Sequence, residues 1–428
     1  MTQKIAVIGA GISGLSAAWL LRDHFDVTLY EAEPRAGGHA DTQLVEMDGK
    51  IVPVDTGFIV LNDRNYPNLL GLFGALGIAT HNSDMSFAVS VERGALEYGG
   101  GDLKQLFAQK RNLWRPRFWR MVQDILRFNR EAPALLDRQS NESLGAYLQR
   151  GKYGAGFVED YILPMGAAIW SSSVAGMRAF PARHFIRFFK NHGLLSINDR
   201  PQWATVTGGS RVYVAAVLAA LAGRVRLGAA VTAVRRTDLG VSVEADGVAP
   251  ALFDHVIMAC HADQSLAMLA DPSEAEQAVL GAVKFQDNVA VLHTDLALMP
   301  RRRAVWSSWN YLSSGRGDHD AAVCLTYWMN NLQGMVTKEP LLVSLNPLMP
   351  PDPAKVLLRK TYSHPQFDAA AMNAQEQLHN IQGVARLWFA GAWTGWGFHE
   401  DGIASAVRIV EAMGIAVPWR ETAGRQAA

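Results

Sequence analysis

Cysteine is almost missing from this chain: two residues, Cys260 and Cys324, in 428. That scarcity excludes a disulfide framework. Neither cysteine has the spacing of a metal site or a redox pair, so no metal centre is expected and a reducing, cytoplasmic setting fits. Net charge is missing as well, because 40 Lys and Arg balance 40 Asp and Glu. Nothing in that balance draws the chain to nucleic acid, which is not expected as a partner. No apolar run approaches the roughly 18 to 20 residues that a bilayer crossing needs. The first strand-like run starts within a few residues of Met1, which predicts no signal peptide. Internal repeats and low-complexity tracts are lacking too. What is there is 49% hydrophobic, enough for a large core split into two or three domains.

The most informative stretch is KIAVIGAGISGLSAAWLLRDHFDVTLYEAEPRAGG, residues 4 to 38. An apolar run from Ile5 to Ile8 enters Gly9, Gly11 and Gly14 in the order G-x-G-x-x-G. A helix-like segment follows, and a second apolar run, Val27 to Tyr30, ends on Glu31. This is the pattern of a βαβ nucleotide site. Gly9 allows the tight turn, Gly11 lets the backbone approach a pyrophosphate, and Gly14 lets the helix lie close to the strand. The phosphates sit on unpaired helix N–H groups, and the Glu31 carboxylate accepts from a ribose diol. Ala10 and Ser13 in the turn and Ala32 beside the acid join the candidate cofactor set. The continuation through Arg35, Gly37, Gly38 and His39 adds a second glycine turn and two cations, close enough to fold back over the same pyrophosphate.

With that continuation the segment resembles the E-x-x-x-R-x-G-G-R run of the flavin-containing amine oxidase superfamily, which includes phytoene desaturases and protoporphyrinogen oxidases. His39 stands where the superfamily usually has arginine, so no permanent charge is implied there. Near the C-terminus, Gly391, Ala392, Trp393, Thr394, Gly402, Ile403 and Ser405 match in part the passage that embraces the flavin in that superfamily. A strand closing on Gly391 and a helix starting near Gly402, capped by Asp401, place a second helix N-terminus against the cofactor. Thr56, Gly57, Phe58 and Val231 complete the cofactor set. The resemblance implies FAD, and non-covalent FAD, since neither cysteine lies near the C-terminus. The phrases DTGFIVLNDRNYPNL, SSWNYL, TYWMNNLQ, SLNP, YSHPQFD and GAWTGWGFHEDG are similar to one branch in particular: bacterial amine-oxidase-like flavoproteins encoded beside cyclopropane or methyl fatty acid synthases. That branch includes the fatty acyl desaturase of furan fatty acid biosynthesis.

The fold expected is α/β: a Rossmann-type, glutathione-reductase-like FAD-binding domain of the amine oxidase kind, with a discontinuous α+β substrate domain. Residues 1–85, 200–285 and 381–428 are assigned to the first; residues 86–199 and 286–380 to the second. The activity implied is FAD-dependent removal of an allylic hydride from an unsaturated, methyl-branched fatty acyl chain to give a conjugated diene. A flavin-dependent double-bond isomerase, an amine oxidase and a non-catalytic lipid-binding flavoprotein remain as alternatives.

Two residues, His399 and Glu400, are the proton-acceptor candidates, because a glycine-bounded loop can turn them toward the flavin. Read otherwise, His399 holds a backbone carbonyl and Glu400 serves a helix N-terminus. Trp309, Tyr311, Trp328 and Trp396 are the substrate-binding candidates, with Trp306, Tyr327 and Asn330 behind them. Trp393 and Phe398 line the acyl slot or are plain core. Residues 104–130 interleave Lys and Arg with aromatics, which sets Trp114, Phe118, Trp119, Met121 and Val122 toward lipid and the arginines toward anionic headgroups. RHFIRFFKNHGLL at 183 has the same character. The other reading is two amphipathic helices docked on the core. The partners expected are a fatty acyl or phospholipid substrate and the inner face of a membrane; oligomeric state is left open.

Overall fold

A computed structural model describes residues 2–196, 200–315 and 324–420. Positions 1, 197–199, 316–323 and 421–428, which the expected segments include, lie outside the described residues. Two sheets organise the chain. The first is five-stranded and wholly parallel, in the order Val225–Arg226, Asp26–Tyr30, Lys4–Ile8, His255–Met258 and Leu387–Phe389. Its inner strands read KIAVI and HVIM, near-continuous apolar runs, because a parallel sheet is covered on both faces.

One face carries the helices Ile12–Leu21 and His399–Ala412. Every residue of Ile12–Leu21 is buried, which fits a segment apolar all round. Truncating Leu15 to alanine there costs about 2 to 5 kcal/mol. The other face carries the three-stranded meander from Val231 to Phe253 and the helices Ala262–Met268 and Glu274–Ala282.

The second sheet has seven strands, in the order Val356–Gln366, Lys284–His293, Leu342–Leu345, Cys324–Trp328, Trp309–Ser313, Phe87–Val91 and Leu96–Gly99. All neighbours run antiparallel except Trp309–Ser313 beside Phe87–Val91. Helices Pro116–Glu131, Leu163–Trp170 and Ala182–Asn191 share its core, together with a π-helical turn at Val158–Ile162. A short three-stranded sheet, Leu61–Asn62, Trp203–Val206 and Thr80–Asn82, ties the N-terminal stretch to the middle of the chain.

Helix Ala369–Gln377 packs on Glu274–Ala282 and sends Ala371 and Ala374 into the core beside the parallel sheet, so the chain rejoins that layer ahead of residue 381. The same helix sends Met372 into the core of the seven-stranded sheet, so it packs between the two layers.

Candidate active site

The opening turn has one open side. Gly9 has φ +100°, and a Cβ there would lie 2.7 Å from the Ala259 carbonyl oxygen. A Cβ on Gly14 would lie 1.8 Å from the Gly9 oxygen, so strand and helix meet backbone to backbone. A Cβ on Gly11 would meet nothing within 4 Å. Helix Ile12–Leu21 begins there with no side-chain cap on its N-terminus, leaving unpaired N–H groups aimed at that space. Ser13 is buried at this helix start.

Neighbouring segments frame the same space. The Glu31 carboxylate accepts from the Ala10 N–H at 2.7 Å and from the Glu33 N–H at 2.9 Å, which fixes it at the mouth of the turn. Ala32 follows it and is exposed. The Ala229 N–H donates to the Glu31 oxygen at 2.9 Å, and this brings half-buried Val231 alongside. The second glycine turn folds onto the first: Gly37 N–H donates to the Ala10 oxygen at 2.8 Å, and a Cβ on Gly38 would lie 3.1 Å from Gly11 Cα. Arg35 clasps this turn, donating to the Gly38 oxygen at 2.9 Å and pairing with Glu33 at 3.1 Å and Asp41 at 3.3 Å. Its charge is thus partly neutralised by two carboxylates.

The closing loop arrives at the same place. A Cβ on Gly402 would lie 2.7 Å from Ile12 Cγ2 and 2.9 Å from Ser13 Oγ, so the C-terminal helix docks against the start of the first one. Gly391 N–H donates to Ser405 Oγ at 3.0 Å, and Ile403 is fully buried. The helix starts at His399, one turn ahead of Gly402, so Asp401 lies inside its first turn and its carboxylate accepts from Phe398 N–H at 2.9 Å. Burial raises the Asp401 pKa to about 6.

Between the two turns, Thr56 Oγ1 lies 2.7 Å from the Tyr362 hydroxyl, and a Cβ on Gly57 would lie 2.2 Å from the His39 oxygen. The Phe58 ring stacks on the His399 ring at 3.7 Å. The His39 ring stands 5.3 Å from those of His364 and Tyr362 and 6.4 Å from that of His261. Burial and the nearby His364 and His261 hold its pKa well below the usual histidine range, so it supplies no charge in place of arginine. His364 is the histidine of the YSHPQFD phrase, whereas His261 follows a core strand and lies in none of the quoted phrases; the fold brings both to His39.

The two proton-acceptor candidates have other engagements. His399 is buried, stacked on Phe58, and its Nε2 lies 3.2 Å from the Tyr213 hydroxyl. Burial lowers its pKa to about 3, which makes it a weak base. The Glu400 carboxylate accepts from the N–H groups of Asn68 and Leu69, each at 3.0 Å, and from Asn68 Nδ2 at 2.7 Å. It anchors the N-terminus of helix Pro67–Leu76, and burial raises its pKa to about 7. Glu400 lies in the first turn of its own helix, His399–Ala412, as the helix-terminus reading has it, and also holds the N-terminus of a second one.

Strand alternation sorts the substrate-layer aromatics. Trp309 sits edge-on to its cross-strand partner Tyr327 at 5.0 Å, and Tyr311 is on the same face, in the core. Trp328 points the other way, packing on Trp306, Met299 and Leu342, and so does not join Trp309. Asn330 is spent on its own loop, donating to Thr337 Oγ1 at 2.8 Å and accepting from Leu341 N–H at 2.7 Å. Trp393 is core, its Nε1 donating to the Cys260 oxygen at 3.2 Å. Trp396 and Phe398 meet helix Ala182–Asn191 instead, with Phe188 at 5.9 and 5.2 Å.

A parallel sheet with an uncapped helix N-terminus, open space over Gly11 and an acid at the end of the second strand defines a dinucleotide-binding protein. The residues present fit the adenosine diphosphate half of FAD. Over residues 12–354 the chain matches the family described as flavin containing amine oxidoreductase, and it belongs to that family. Its cofactor is FAD and its class that of the FAD-dependent oxidoreductases.

Among curated proteins, the carotenoid phi-ring synthase of Chlorobaculum tepidum is 40% identical over 79 residues, 18% of this chain and 12% of that protein. The chain spans about a tenth of the length of the curated relatives it matches. Among solved structures, cyclohexylamine oxidase from Brevibacterium oxydans is similar with a TM-score of 0.70 at 14% identity, covering 97% of this chain and 100% of that one. A CLA-producing fatty acid isomerase from P. acnes is similar with a TM-score of 0.66 at 13% identity, covering 96% and 98%. At such identities the likeness is one of fold.

Proposed function

We propose that this oxidoreductase acts on an unsaturated, methyl-branched fatty acyl chain, removing an allylic hydride and then a proton from the adjacent carbon to leave a conjugated diene. The observation that carries the reading is the character of the closing loop. Toward the substrate layer it presents Trp396 and Phe398 against Phe188, an apolar wall, while its two carboxylates, Glu400 and Asp401, accept from backbone N–H groups. An ammonium substrate needs a carboxylate or an aromatic cage free to receive it; an acyl chain needs an apolar slot. Half-buried Trp309, Tyr327, Met165 and Ile169 extend apolar surface on the same core.

FAD, when bound, supplies the two-electron acceptor for the C–H bond. The chain's own residues do the rest. Gly11 and the uncapped helix Ile12–Leu21 receive the pyrophosphate, Glu31 the ribose, and the aromatic wall excludes water and orients the acyl chain, which accounts for much of the rate. Proton acceptance by His399 is disfavoured by its low basicity, and by Glu400 because its carboxylate is already shared among N–H donors. Burial holds His39 and His364, whose rings stand 5.3 Å apart, below the usual histidine range as well, so neither takes their place as a base.

Anaerobic mixing of the holoenzyme with a methyl-branched unsaturated acyl lipid tests the reading. Bleaching of the flavin with a product two hydrogens lighter supports it. An isomer of unchanged mass favours the isomerase, and bleaching by a small amine but by no lipid overturns it.

A further inference from the structure

Among the described residues this neutral chain has a face that is both basic and apolar. Between Leu103 and Arg120 there are six Lys and Arg and no Asp or Glu, with Arg117 paired to Glu159 and Asp160 and Arg120 to Asp124 from outside the segment. In the same segment Trp114 is 86% exposed, Leu103 73%, Trp119 44% and Leu113 43%. These residues are neighbours. Trp119 Nε1 donates to the Leu113 oxygen at 2.9 Å, the Trp119 ring lies 5.4 Å from that of Phe107, and Phe107 N–H donates to the Leu103 oxygen at 3.1 Å. Leu126, two helical turns beyond Trp119 on helix Pro116–Glu131, is 51% exposed and continues the stripe. The opposite side of that helix sends Phe118, Met121 and Phe128 into the core, so the exposed stripe is surplus to folding.

We infer that this face docks on an anionic phospholipid bilayer. A tryptophan with most of its surface in water is costly in solution and favourable at a headgroup boundary, where the ring has an apolar body and a polar N–H edge. Lys104 and Lys110 are exposed and make no ion pair among the described residues, leaving them for lipid phosphates. A second copy of the chain is the poorer occupant, since a two-fold contact would set this basic face against itself. Only the first of the two basic segments is so placed: helix Ala182–Asn191 buries Phe185, Ile186, Phe188 and Phe189. The inference stands apart from the acyl-chain reading, because vesicle binding requires no turnover.

The test is co-sedimentation of holoenzyme with vesicles of phosphatidylglycerol and phosphatidylcholine, compared with phosphatidylcholine alone. Binding is expected only to the anionic vesicles, released by about 0.5 M salt. Trp114→Ala with Trp119→Ala, and separately Lys104→Glu with Lys110→Glu, should each weaken it about tenfold or more while keeping bound flavin. The inference is overturned if the native enzyme ignores anionic vesicles, if both double variants bind as tightly as the native enzyme, or if the tryptophan pair abolishes a dimer instead.

Discussion

Two alanine substitutions three residues apart, at Gly11 and Gly14, about 4.5 Å along the helix axis, should behave oppositely. At Gly11 the backbone is extended, φ −73° and ψ −176°, a conformation alanine adopts freely, and the new methyl meets nothing within 4 Å. Apoprotein stability should therefore stay the same or rise by about 0.4 to 1 kcal/mol, through loss of freedom in the unfolded chain. The same methyl stands where a pyrophosphate approaches, and loss of one charge-assisted hydrogen bond, about 1.5 to 3 kcal/mol, weakens FAD binding about 10- to 150-fold. At Gly14 the methyl lies 1.8 Å from the Gly9 oxygen. Backbone on both sides cannot yield as a side-chain tip does, so the apoprotein should lose about 1 to 3 kcal/mol or more. Urea unfolding of the apoproteins and fluorescence titration with FAD measure both quantities. A Gly11→Ala protein that binds FAD within about twofold of the native one, or unfolds as readily as Gly14→Ala, refutes the reasoning.

Other perturbations separate roles within the site. Glu400, with a carboxyl raised to about 7 by burial, stabilises the fold below its unfolded value, and this contribution is lost as pH rises through 7. The stability difference between the native protein and Glu400→Gln should therefore fall by roughly 2 to 3 kcal/mol from about pH 5 to pH 8; a constant difference in urea unfolding contradicts this. His399→Phe keeps the stack on Phe58 but leaves the Tyr213 hydroxyl unpaired, so it should cost about 1 to 3 kcal/mol of stability and leave turnover within about threefold. A drop of about a hundredfold or more would restore His399 as the proton acceptor. Trp309→Ala should raise KM for an acyl substrate about tenfold, whereas Trp328→Leu, on the opposite face of the sheet, should change it by less than about twofold; steady-state kinetics with equal effects would remove the distinction.

The nucleotide turn was legible because its constraints are local. Gly9, Gly11, Gly14 and Glu31 lie in one βαβ unit, where strand, turn and helix each leave a pattern in consecutive residues. Family resemblance extended that to the closing loop. What the sequence hid were pairings over long separations: Glu400 with Asn68, 332 residues apart, and His39 with His261 and His364, on three different elements. No periodicity encodes such a meeting. Amphipathic segments were legible in part, since Phe118 and Met121 face the core while Trp114 and Trp119 face water, and one-dimensional patterning does not say which apolar side finds a partner. The strand face of Trp328 could have been separated from that of Trp309 by parity once their pairing was known, but register is a tertiary fact.

The account rests on the opening and closing turns holding one FAD between them. Hydrogen exchange of the apoprotein, with and without FAD, tests this most directly. FAD should protect amides of residues 9–14, 37–40 and 399–405 together and at the same ligand concentration. Protection confined to the first of these stretches, or none in the last, contradicts it.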